Sequence, residues 1–138
     1  MINFFSETDF DLSRPDDIKK WISSIISSEG YEEGDITFVF CDDPYLNKIN
    51  VKFLGHDTLT DIISFDDTIG KQVRGEVYIS IDRVRENARD YEVDFRDELH
   101  RVMIHGILHF CKYNDKTSVE SRLIRRRENL ALLKLKIT

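Results

Sequence analysis

The run Ile36-Thr37-Phe38-Val39-Phe40-Cys41 constrains this chain more than any other segment. It is β-rich and almost wholly apolar, so it lacks the alternation of a strand that shows one face to water. Such a segment suits a strand buried on both faces, in a sheet that helices cover. The remaining segments supply the partners. Ile2 to Phe5 reads as a first strand, Thr60 to Phe65 as a third and Val73 to Ile81 as a fourth. Ser13-Arg14-Pro15-Asp16-Asp17 reads as a helix start, with Ser13 as cap, Pro15 in the first turn and two Asp at the positive helix end. That helix carries Ile18, Trp21, Ile22, Ile25 and Ile26 at helical spacing and stops before Gly30. Asp43-Pro44 opens a second helix, with Leu46, Ile49, Asn50 and Phe53 on its face and Gly55 at its end. Asp82 caps a third helix. A long fourth runs from Asp94 to Cys111, with Phe95, Leu99, Val102, Met103, Gly106 and Phe110 as its core stripe. Thr117 and Glu120 have the form of a capping box opening a last helix, whose core face reads as Leu123, Leu130 and Leu133. The expectation is an α+β fold in a single domain over residues 1–138. A small mixed sheet of about four strands packs with about five helices.

Composition narrows the function. Cys41 and Cys111 are too few for a disulfide framework, which points to a reducing compartment. No apolar run is long enough to span a membrane. The segment Met1 to Glu7 has neither the basic nor the apolar region of a secretory signal, so the cytoplasm is the expected location. The net charge of −6 argues against a general nucleic-acid coat protein. The charge is divided, however: residues 1–69 balance to −10 and residues 70–138 to +4. A basic second half allows a local anion-binding surface despite the acidic total.

The chemistry lies in the long helix. His105 and His109 stand at i and i+4, so both imidazoles project from one face, close enough to share a metal. Asp115 follows six residues later. On a continued helix it would point away, about 240° around from His109. The helix must therefore end between them for the three to converge. Lys112-Tyr113-Asn114 is a suitable place, since Asn tolerates the left-handed conformation that closes helices. Two His and a carboxylate with an open fourth position form a usual catalytic zinc set, with one zinc ion per chain. A metalloprotease would carry its general-base Glu directly after the first His, where this chain has Gly106. No other residue stands out as a general base.

The stretch His105-Gly106-Ile107-Leu108-His109-Phe110-Cys111-Lys112-Tyr113-Asn114-Asp115 resembles the signature of the YbeY family, metal-dependent endoribonucleases of ribosomal RNA maturation and ribosome quality control. Two further blocks agree in order: Asn50, Phe53 and Asp57 followed by Thr60-Asp61-Ile62-Ile63-Ser64-Phe65, then Gly75-Glu76-Val77-Tyr78-Ile79-Ser80. The resemblance implies a single-strand-specific endoribonuclease acting at the 3′ end of small-subunit rRNA, with His105, His109 and Asp115 on the metal. It also implies ribosomal RNA as partner, together with ribosomal proteins or assembly GTPases. Three positions depart from the pattern: Asp115 stands at the family's usual third His, Lys112 at a Gly, and Leu54 at an Arg linked to activity.

Arg101, Arg122, Arg125, Arg126 and Arg127 are candidates for holding an RNA backbone near the metal. Asp61, Ser64 and Glu76 are candidate polar groups of the pocket, Asp61 and Glu76 as partners of the His rings. Tyr45, Phe53, Tyr78 and Tyr113 are available to stack on bases, although core packing suits most of them. Two other classes remain consistent with the residues: a metal-dependent hydrolase of another class, such as a peptidase, and a non-catalytic ribosome-assembly factor with a structural metal.

Overall fold

The apolar run occupies the inside of the sheet, as its composition requires. In the computed structural model, which describes residues 1–137, it forms the second half of β2 (Glu32–Cys41). β2 lies between β1 (Ile2–Ser6) and β4 (Gln72–Ser80), parallel to both, and β3 (Ile62–Asp66) closes the far edge antiparallel to β4. The order is β1-β2-β4-β3, a mixed four-stranded sheet. Ile36, Phe38 and Phe40 face α1 (Pro15–Ser28) and α4 (Phe95–Phe110) in the main core. On the other face, Cys41 packs with Leu46 of α2 (Asp43–Ile49) and with Ile63 of β3. α3 (Ile81–Asp90) and α5 (Ser118–Ile137) complete five α-helices among the described residues, and the fold is the expected α+β class.

Several local expectations shift. Ser13 does not cap α1. Arg14 stands at that position in the left-handed conformation, and its guanidinium binds Asp17 within the first turn. The helix beginning at Asp43 does not run straight to Gly55; after Ile49 it widens into a single π turn over Asn50–Leu54, which Gly55 ends at φ +68°. Ser80, not Asp82, caps α3, accepting from the Arg83 amide at 3.2 Å. The capping box at Thr117 and Glu120 forms as read, each side chain accepting the other's amide.

The largest change is the face of α5. Leu123, Leu130 and Leu133 are 45%, 52% and 56% exposed, whereas Ile124, Glu128 and Ala131 are buried. The apolar period of the sequence is real, but it marks the outer face. The inner face is set by the α4 side chains that α5 meets, and one of these demands a carboxylate.

α4 is the central element. Residues on nearly every side of it are buried, from Glu98 to Phe110. At Gly106 it comes so near the sheet that an added Cβ would lie 3.1 Å from Ile62 Cδ1 and 3.2 Å from Val77 Cγ1. The helical glycine, which costs roughly 1 kcal/mol against Ala, is therefore the residue that permits this approach.

Near the start of α4, His100 lies edge-on to Trp21, ring centroids 5.8 Å apart. Burial depresses its pKa to about 4, with Asp97 and Asp94 opposing the shift and Arg96 assisting it. His100 is thus neutral in the folded protein, while the unfolded chain takes up a proton below about pH 6.5. Its contribution is present above that pH and is lost as pH falls towards 4, to the extent of roughly 3 kcal/mol. Chemical denaturation of wild type and His100→Phe at pH 7 and pH 4.5 is expected to show a smaller acid loss in the variant. Equal losses would contradict this placement of His100.

Candidate metal centre

His105 and His109 lie one turn apart near the C-terminal end of α4, both half-buried. The helix ends at Phe110. Lys112 then takes a left-handed conformation, φ +74°, and the backbone folds back through Tyr113, whose amide bonds to the Leu108 carbonyl. This break lies two residues before Asn114, the residue read as suited to it. It turns the chain so that Asp115 faces the two imidazoles. The nearest donor atoms of the three residues fall within 4.8 Å of one another.

Hydrogen bonds outside the cluster decide what lies inside it. His109 Nδ1 sits 2.8 Å from the Tyr113 carbonyl, which can only accept, so Nδ1 carries the proton. His105 Nδ1 sits 2.6 Å from Glu128 Oε2, another acceptor when ionised. In the neutral rings, both Nε2 atoms then present lone pairs. These nitrogens are 2.8 Å apart, and Asp115 Oδ2 lies 3.4 Å from one and 3.5 Å from the other. Three acceptors therefore surround one point with no internal donor, an arrangement that calls for a cation. Donors held about 2.0–2.1 Å from a tetrahedral zinc stand about 3.3–3.4 Å apart, close to the two Asp115 distances and wider than the 2.8 Å between the imidazole nitrogens, which must part slightly to admit the ion. The residues present fit a metal of that kind.

The same charges favour a cation at His105. Burial works against its protonation, but the hydrogen bond and charge of Glu128, with Asp115 and Asp61, outweigh burial and raise its pKa. Glu128 responds in the opposite sense: burial would raise it, yet bonds from His105 and Arg101 hold it below the usual carboxylate range. The two cysteines offer nothing comparable. Burial first, then neighbouring carboxylates, push the Cys41 and Cys111 thiols up to about 12.

With this geometry in view, comparison with known proteins is decisive. The profile of the family Endoribonuclease YbeY matches residues 4–136. The chain belongs to the YbeY family. A relative from Christiangramia forsetii, named Endoribonuclease YbeY, is 57% identical over 127 residues, covering 92% of this chain and 89% of its own. One of the same name from Flavobacterium johnsoniae is 50% identical over 129 residues, covering 94% and 93%. A solution structure from Thermotoga maritima shares the fold, with a TM-score of 0.71 at 24% identity, covering 98% of this chain and 89% of the other.

The departures from the YbeY pattern gain physical meaning here. Lys112 keeps the left-handed turn without the usual glycine, and its Nζ lies 3.4 Å from Asp66. Leu54 ends the π turn with its side chain exposed. Other expectations need correction. Neither Asp61 nor Glu76 bonds a histidine ring; Glu128 and the Tyr113 carbonyl fill those places. Asp61 does line the cavity beside His105, whereas Glu76 lines a separate one with Asp35 and Asp66 and accepts from Tyr78. Ser64 pairs with Val77 in the β3–β4 ladder. Arg101 is engaged by Glu128 and Asn129, and Arg127 faces Glu29. Tyr113 and Tyr78 are half-buried, and Phe53, though exposed, packs edge-to-face with Phe65.

Glu128 escaped the sequence reading. Its signal was a carboxylate at i+4 from Ile124 and i−3 from Ala131, in line with two apolar positions of one helix face.

Replacing Asp115 tests the set. Asp115→His is expected to keep or tighten zinc binding, since imidazole suits zinc. Asp115→Ala is expected to weaken it at least about tenfold. Competition against a chelating dye measures both. Wild-type affinity in both variants would remove Asp115 from the site.

Proposed function

We propose that this chain is a metal-dependent endoribonuclease that cleaves single-stranded stretches of ribosomal RNA, in maturation of the small-subunit rRNA 3′ end and in ribosome quality control. His105, His109 and Asp115 hold one zinc ion. The observation that carries the reading is the convergence of three acceptor atoms, two of them from residues that line an open cavity edged by arginine. That cavity measures about 330 Å³ and is lined by Asp61, His105, Asp115, Arg101, Arg125 and Glu128 among others. Membership of a family whose curated relatives are named endoribonuclease supports it.

Zinc bound there supplies a Lewis acid for a phosphoryl oxygen and lowers the pKa of a water towards about 7. The protein's own groups do the rest. Glu128 and the Tyr113 carbonyl fix the tautomers and aim both Nε2 atoms inward. The half-exposed Asp115 leaves the solvent side of the cluster open to a phosphodiester. Arg125, more exposed than Arg101, stands where it can meet a phosphate of the backbone, and Arg122 and Arg126 extend the basic edge along α5. The RNA partner is the rRNA itself, accompanied by ribosomal proteins or assembly GTPases, and the setting is the cytoplasm. No helix of the described residues is long and apolar enough to cross a membrane.

Cleavage of a structured rRNA fragment with an unpaired 3′ extension tests the reading. Wild-type protein with zinc is expected to cut the extension. Chelator treatment should abolish cutting, zinc should restore it, and His109→Ala should lower it at least about a hundredfold while the fold persists. Cleavage that survives both metal removal and His109→Ala would contradict the proposal.

A further inference from the structure

The metal cavity does not end at the metal. Along α4, away from His105, it opens into a second cavity of about 400 Å³ between α5 and the turn joining α3 to α4. Tyr91, Glu98, Arg101 and Arg125 line both, so the two form one groove. Glu98 lies two helical turns, about 10 Å, up α4 from His105. The far part of the groove differs in chemistry from the near part. Tyr91 and Val93 border it from the turn, and Arg125, Asn129, Leu132 and Leu133 border it from α5. Asp97 and Glu98 also border it, Glu98 being buried.

Tyr91 is held there by its backbone. The Val93 amide bonds to the Ala88 carbonyl and the Glu92 amide to the Arg89 carbonyl, the double bond of a Schellman turn. Glu92 occupies its left-handed position, φ +55°, which a glycine would adopt at less cost. The turn leaves Tyr91 60% exposed, with Val93 beside it also exposed. A large aromatic ring on a fixed turn, beside an apolar wall and a cation, and continuous with a metal site, is a platform for a flat apolar body tethered to phosphate.

Resting on the endoribonuclease reading, we infer that Tyr91 is a base-stacking subsite for single-stranded RNA, seating an unpaired base a short distance along the strand from the phosphate at the metal. Arg125 takes the intervening backbone, and Val93 and Leu133 supply apolar surface in the same cavity. The subsite selects unpaired RNA because a base within a duplex has no free face to offer.

Steady-state cleavage of a short single-stranded RNA by the zinc-loaded, full-length chain tests this. Tyr91→Ala is expected to raise KM about tenfold, the low end for one stacked base, and leave kcat nearly unchanged. Tyr91→Phe and Tyr91→Trp should retain the wild-type KM, since each keeps a ring. The salt dependence of kcat/KM should be unaltered in Tyr91→Ala, which removes no charge, and flatter in Arg125→Gln. Folding is expected to persist, because the ring lies outside the core. A wild-type KM in Tyr91→Ala would overturn the inference, and so would equal impairment in Tyr91→Phe. Failure of the wild-type protein to cleave RNA would overturn the functional reading as well, and that failure shows without any variant.

Discussion

The approach of α4 to the sheet at Gly106 sets the geometry of everything near the cluster. With no side chain at that point, the helix lies against Val77 and Ile62 so closely that even an added Cβ would crowd their side chains. This seats α4 in the core and leaves one edge, carrying His105 and His109, at the margin of the packed interior. It also explains why a general base in the manner of metalloproteases has no place here: position 106 is filled by the sheet.

From that edge the protein builds a polar layer between α4 and α5. Glu128 is only 4% exposed, and a buried carboxylate is costly unless paired and hydrogen-bonded. It meets Arg101, Arg125 and His105, so its own buried charge is compensated. The orientation of His105 thus rests on a side chain that also joins α5 to α4 beside the buried Ile124 and Ala131. Such a network stabilises the fold and also keeps Nε2 aimed at a fixed point, as a pre-organised metal site requires.

The sequence made the frame legible. The apolar run of β2, the helical stripe of α1 and the i, i+4 histidines each follow a local period, and each lies where that period places it. The helix break before Asp115 was legible as a necessity, although the strained residue is Lys112 rather than Asn114. What could not be read was anything decided by a distant partner. α5 carries leucines at helical spacing on its outer side, and its inner side includes a glutamate, because the residue it meets is a histidine from another helix. Period reveals that a face exists; only packing decides which face is inside. At α3 the cap falls to Ser80 while the Asp82 carboxylate accepts from the Asp43 amide of α2, a contact with a distant element, and at α1 no side chain caps the helix at all.

The central claim is that two imidazoles and one carboxylate converge on a single cation, while both thiols stay buried and protonated. X-ray absorption at the zinc edge of the zinc-loaded chain tests it most directly. The account predicts one zinc per chain, with nitrogen and oxygen scatterers only, at about 2.0–2.1 Å, and with the outer-shell signature of two imidazoles. Sulfur scatterers near 2.3 Å, or a zinc shell with no imidazole signature, would contradict it.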